Sequence, residues 1–151
     1  MAGTFSARRD KVSEGEKLVK GLTVDSSVIV ATLLQDEKRH QEAVEIWEKI
    51  LAGKKYAVMP YSVKVEVVAA VRRRTGSEAL ALEIKQELSS LENVAFVNLD
   101  EDSTEKACIL AAKTGLRGMD AIVVQVALEY GTELVSFDKE MVSKVSKLAP
   151  E

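Results

Sequence analysis

Four acidic residues, Asp25, Glu66, Asp120 and Asp138, stand where a soluble chain rarely puts charge. Asp25 closes the run Leu22-Thr23-Val24-Asp25-Ser26-Ser27, and Asp138 closes Leu134-Val135-Ser136-Phe137-Asp138. In each, a β-rich stretch ends in an acid beside small hydroxyl residues. Glu66 lies inside Val63-Lys64-Val65-Glu66-Val67-Val68-Ala69-Ala70, and Asp120 inside Gly118-Met119-Asp120-Ala121-Ile122-Val123-Val124. A carboxylate in apolar company has to be solvated, paired or bound to a cation, because an isolated buried charge is too costly. Four such groups brought together would make a hard, all-oxygen site suited to Mg²⁺ or Mn²⁺.

Rival chemistries have little to stand on. The single histidine, His40, rules out a His-rich metal cluster and argues against a Ser-His-Asp hydrolase. Cys108 is the one cysteine and reads as a small core residue of a helix, so no disulfide, zinc site or thiol catalysis is expected. No Gly-rich phosphate-cradling motif is present. Aromatic residues make up 5% of the chain, too few for the stacking platform of an RNA-binding sheet. The formal net charge of −3 argues against a general electrostatic grip on nucleic acid, although clustered acids would themselves pull that total down.

The elements that must position the acids alternate between strand and helix. The chain of 151 residues suits one domain with a single sizeable core. Residues 1–20 read as a polar N-terminal extension without the apolar region of a secretory signal, and residues 21–149 as the folded domain. No stretch is apolar over a membrane-spanning length, so a cytoplasmic protein without a membrane partner is expected. Strands are predicted over 21–24, 56–59, 94–98 and 133–136. Helices are predicted over 27–34, 40–51, 62–74, 78–91, 103–113, 119–130 and 139–148, the last either a short final helix or one leading into an edge strand. The 62–74 segment reads as helix despite its valines, because it outruns a typical strand and follows Pro60. Alternation of this kind implies right-handed crossovers and a parallel sheet covered on both faces. Functional groups in such sheets gather beyond the carboxyl ends of the strands. Asp25 and Asp138 directly follow strands, while Glu66 and Asp120 lie near the starts of helices entered from that same edge.

Each acid also has an ordinary reading. Asp is a favoured N-cap, which would account for Asp25 and Asp138. Asp120, in the first turn of its helix, gains from the helix dipole without any function. Glu66 has the alternative of a solvated surface position, but Ser62, Ala69, Ala70 and Arg73 are its helical neighbours, and small alanines leave room for an ion and a substrate. Arg73 is placed to meet a phosphate. Within Arg72-Arg73-Arg74 it equally suits a helix C-terminus. Trp47 reads as core or as an anchor for a partner.

Together these residues resemble the PIN-domain nucleases, most closely the VapC-like toxins of prokaryotic toxin–antitoxin pairs. The motifs that carry the resemblance are Val24-Asp25-Ser26-Ser27, Val65-Glu66-Val67, Asp120-Ala121-Ile122 and Ser136-Phe137-Asp138, in that order between Leu22 and Leu148. The extension and the short tail after Asp138 depart from a compact family member, and the tail puts a last strand in doubt. The resemblance implies an α/β fold, a three-layer α/β/α sandwich around a parallel sheet of four to five strands. It further implies a Mg²⁺- or Mn²⁺-dependent endoribonuclease. Asp25, Asp120 and Asp138 would bind metal directly or through water, and Glu66 would bind metal or orient the attacking water. Ser27 and Ser136 would be donors that fix carboxylate rotamers, and Arg73 an RNA contact. Implied partners are an RNA substrate, an antitoxin protein and a second copy in a homodimer. That dimer would use the apolar faces carrying Trp47 and Val63, Val67 and Val71. The alternatives are a PIN-like RNA-binding or scaffold protein without cleavage, and an RNA-processing nuclease with no antitoxin.

Overall fold

The computed structural model describes residues 20–148, so the expected extension, apart from Lys20, lies outside the described residues. The elements are β1 (Gly21–Val24), α1 (Ser26–Leu33), α2 (His40–Leu51), β2 (Tyr56–Pro60), α3 (Tyr61–Thr75), α4 (Glu78–Ser89), β3 (Val94–Val97), α5 (Glu101–Thr114), α6 (Gly118–Tyr130), β4 (Glu133–Val135) and α7 (Lys139–Ser146). The four strands form one sheet in the order β3-β2-β1-β4, with every neighbouring pair parallel. Leu22 sits in register with Ala57 on one side and Glu133 on the other, and Ala57 with Val94. The expected α/β/α sandwich is therefore present, with four strands. Beyond β4 the chain turns into α7, and no fifth strand occurs among the described residues.

Strand alternation assigns the two layers. Leu22, Val24, Ala57, Met59 and Val94 point to one face, where they pack with Ile29, Ile50, Val67 and Ile84 of α1 to α4. Tyr56, Val58 and Ala95 point to the other and meet Val126 of α6. Burial of β1 and β2 along their whole length fits central parallel strands covered on both sides.

The valine-rich segment is a helix, as its length predicts. Val63, Val67 and Val71 recur every four residues and are at most 1% exposed, which is a helical stripe and not a strand alternation. They are consumed by this chain's own core, so they cannot supply the dimer face expected of them. Trp47 also packs, partly buried, against that core. The α5 helix begins two residues earlier than predicted because Asp100 caps it, its Oδ1 accepting from the Ser103 N–H at 2.8 Å. After α6, Gly131 adopts φ +63°, a left-handed turn that only glycine takes at little cost. That tight exit lays β4 beside β1 and brings the Ser136-Phe137-Asp138 segment back to the carboxyl edge of the sheet.

Candidate active site

At that edge Asp25, Glu66, Asp120 and Asp138 all line one cleft of about 740 Å³. Asp25 leaves β1, Asp138 follows β4, Glu66 comes from the second turn of α3, and Asp120 from the first turn of α6. The topology thus carries the four from widely separated stretches of chain to one place.

Asp25 occupies the N-cap position of α1 without acting as a cap, since its side chain accepts nothing from that helix's backbone. It is 5% exposed. Its Oδ2 instead accepts from Ser27 Oγ at 2.8 Å and Ser136 Oγ at 3.0 Å. Each hydroxyl is aimed by a backbone donor behind it. The Phe137 N–H donates to Ser27 Oγ at 3.1 Å, and the Asp138 N–H to Ser136 Oγ at 3.0 Å. With its acceptor role filled from behind, each serine hydrogen is left for the carboxylate. The Asp25 N–H also donates to the Val135 carbonyl at 2.9 Å, completing the bond between the ends of β1 and β4. Both serines therefore donate to one and the same oxygen of Asp25.

Asp138 does act as a cap. Its Oδ1 accepts from the Glu140 and Met141 N–H groups at 3.0 and 3.2 Å. Capping and lining the cleft coexist here, because the cap engages one oxygen and leaves the other uncommitted. Glu66 is the opposite case, since its Oε1 is buried and has no hydrogen-bond partner among the described residues. An orphaned carboxylate oxygen of this kind is expensive unless a proton or a cation meets it.

The electrostatics say the same. Burial pushes the Glu66 carboxyl above its ordinary range, and the charges of Asp25 and Asp120 push it further. Asp120 is raised first by burial, then by Asp25 and Asp138, with a smaller push from Glu140. The Arg117 guanidinium opposes the rise. Among the described residues no three Asp, Glu, His or Cys side chains form a ready cage for a metal ion. The fit to Mg²⁺ or Mn²⁺ is thus one of donor type, charge and an unpartnered oxygen around a shared cleft, and not of a closed coordination shell.

Three neighbours of the acids escaped the sequence reading. Arg117 lines the cleft, and its only sequence signal is a basic residue at a helix entry, where an acceptor is the usual choice. Glu140 acts on Asp120 from α7. Cys108, expected in the core, is exposed and lines the cleft, because Ala107 and Leu110 take the buried positions of α5. Arg73 is exposed on α3 and is not among the cleft-lining residues.

The sequence pattern of the PIN domain matches residues 22–148. The chain belongs to the PIN domain family. Comparison with curated protein sequences finds no match. Among solved structures, this PIN domain is similar to Mycobacterium tuberculosis VapC20, described as a sarcin-ricin loop cleaving toxin. That similarity has a TM-score of 0.67 and 21% identity, over 85% of this chain and 96% of the other. A toxin–antitoxin complex from Klebsiella pneumoniae follows, with a TM-score of 0.60 and 15% identity over 86% of this chain and 96% of that one. VapBC2 from Rickettsia felis, bound to a DNA fragment from its promoter, gives 0.58 and 13% over 82% and 91%. At these identities the likeness carries the fold. It agrees with the PIN-like α/β/α fold that the sequence resemblance implies. No helix among the described residues is long and apolar enough to cross a membrane.

Proposed function

We propose that this PIN domain is a Mg²⁺- or Mn²⁺-dependent endoribonuclease and the toxin of a toxin–antitoxin pair. The observation that carries the reading is the single cleft lined by Asp25, Glu66, Asp120 and Asp138, with Asp25 clamped by two serines and a Glu66 oxygen left without a partner among the described residues. Asp25, Asp120 and Asp138 would hold the cation. Glu66 would hold it too or orient the attacking water. When bound, a divalent ion supplies the positive charge that offsets the phosphodiester and makes water a better nucleophile. Ser27 and Ser136 keep Asp25 from rotating as that charge arrives. Arg73, outside the cleft, would extend contact along the RNA backbone. The toxin assignment and an antitoxin partner draw support from the toxin–antitoxin neighbours, and a homodimer and a cytoplasmic setting belong to the same proposal.

The test is cleavage of single-stranded RNA by the wild type with Mn²⁺ or Mg²⁺, by the wild type with EDTA, and by Asp120→Asn. Cleavage should require the metal and fall at least about a hundredfold in the variant, which keeps the size of the side chain but loses a charge a hard cation needs. Cleavage that survives both chelation and substitution would mean another nuclease is present. A well-folded wild type that cuts no RNA would favour the RNA-binding or scaffold reading.

A further inference from the structure

A phosphodiester approaching this cleft meets four carboxylates, and among the described residues only one in the lining carries positive charge. That residue is Arg117. It is exposed, and among the described residues its side chain forms no ion pair and no cap hydrogen bond. Arg39 and Arg74 behave otherwise, being tied to Glu42 and to Asp36 and Glu37.

Arg117 is also a poor choice for the position it holds. As N-cap of α6 it stands where an acceptor side chain would satisfy the first helical N–H groups. A guanidinium can only donate, and its charge lies at the positive end of the helix dipole. As a cap it gives α6 nothing. A capping rule broken at the wall of a cleft is expected where a residue serves a ligand. The neighbouring Gly118, also in the lining, leaves open space, since a Cβ built there meets nothing within 4 Å.

We propose that Arg117 is the phosphate anchor of the cleft, binding a backbone phosphate of single-stranded RNA that flanks the phosphodiester held at the carboxylates. The inference rests on the ribonuclease reading above and adds the residue that grips the substrate. The planar fork of arginine suits two parallel hydrogen bonds to phosphate oxygens, which a lysine ammonium would not reproduce. Because Arg117 precedes Asp120 by three residues, the grip and the chemistry sit about one helical turn apart on one rigid element. Arg117 acts on binding and position and takes no part in bond making.

The experiment compares wild type, Arg117→Ala and Arg117→Lys on a fluorescent single-stranded RNA of mixed sequence. Cleavage is followed with Mn²⁺. Binding is followed by anisotropy in the Asp120→Asn background between 50 and 200 mM KCl. Arg117→Ala should raise KM about tenfold with kcat held within about twofold, and lower the salt slope of binding by about 0.7. Arg117→Lys should restore the slope but only part of the KM. An unchanged KM and salt slope in Arg117→Ala, with the wild type active, would overturn the anchor and leave the ribonuclease reading standing. A wild type that neither binds nor cuts RNA would overturn both.

Discussion

Glu66 shows how a single atom decides between an ordinary and a functional reading. A surface glutamate would have both oxygens in water, whereas Glu66 keeps Oε1 buried and, among the described residues, unpartnered. Its carboxyl is raised from an ordinary value near 4.5 by burial and by Asp25 and Asp120. The sign of the stability effect follows. Between the unfolded and the raised folded pKa the native state binds more protons than the unfolded one, so stability falls as pH rises through that window. Glu66→Gln removes the dependence. We predict that the metal-free variant is as stable as wild type at pH 4. At pH 7.5 it should be more stable by at most roughly 1 kcal/mol, the half-buried group being partly screened by water. Thermal melts at both pH values check this, and a variant less stable at pH 7.5 would count against a repelling cluster. The acids were legible in sequence because an apolar run bound for a core rarely carries a charge unless something meets it there. Arg117 was not, since a basic residue before Gly118 reads as a turn until the topology places it among carboxylates.

At the scale of elements, the burial pattern of α3 separates residues that build the fold from those that face outward. Val67 is fully buried while Val65, two positions away, is 65% exposed. Val67→Ala should cost about 2 kcal/mol through lost burial and a cavity. Val65→Ala should stay within about 0.5 kcal/mol. Denaturant unfolding of the two variants measures the contrast, and equal losses would contradict the assigned helix phase. The same phase turns Glu66 towards the cleft. Helix and strand order could be read from the sequence because period and turn residues agree along most of the chain. Side-chain facing was harder, as Cys108 demonstrates. A one-residue difference in helical phase moves a side chain by about 100°, and α5 carries alanines on several faces.

Over the whole molecule, one apolar groove apart from the cleft lies between α3 and α4. Val65, Val68, Ala69 and Leu82 line it together with the charged Lys64, Arg72, Lys85 and Glu78. With Val63, Val67 and Val71 committed to the core, this groove is the surface on which we predict the homodimer to form. Light scattering at micromolar concentration should give a dimer for wild type and a monomer for Leu82→Glu, which puts a charge on a side chain 54% exposed. A monomeric wild type would contradict the assembly and leave the active site untouched, because no cleft-lining residue belongs to the groove.

On the reading proposed above, carboxylates from four distant parts of the chain act as one binding site for a divalent cation. The most direct test is a calorimetric titration of Mn²⁺ into the protein at pH 7.5 and at pH 5. Protons and metal compete for the same oxygens, and burial and mutual repulsion hold Glu66 and Asp120 above the usual carboxylate range. Affinity should fall by about tenfold or more at the lower pH, with protons released on binding. Equal affinity at the two pH values, or no Mn²⁺ bound at pH 7.5, would contradict it.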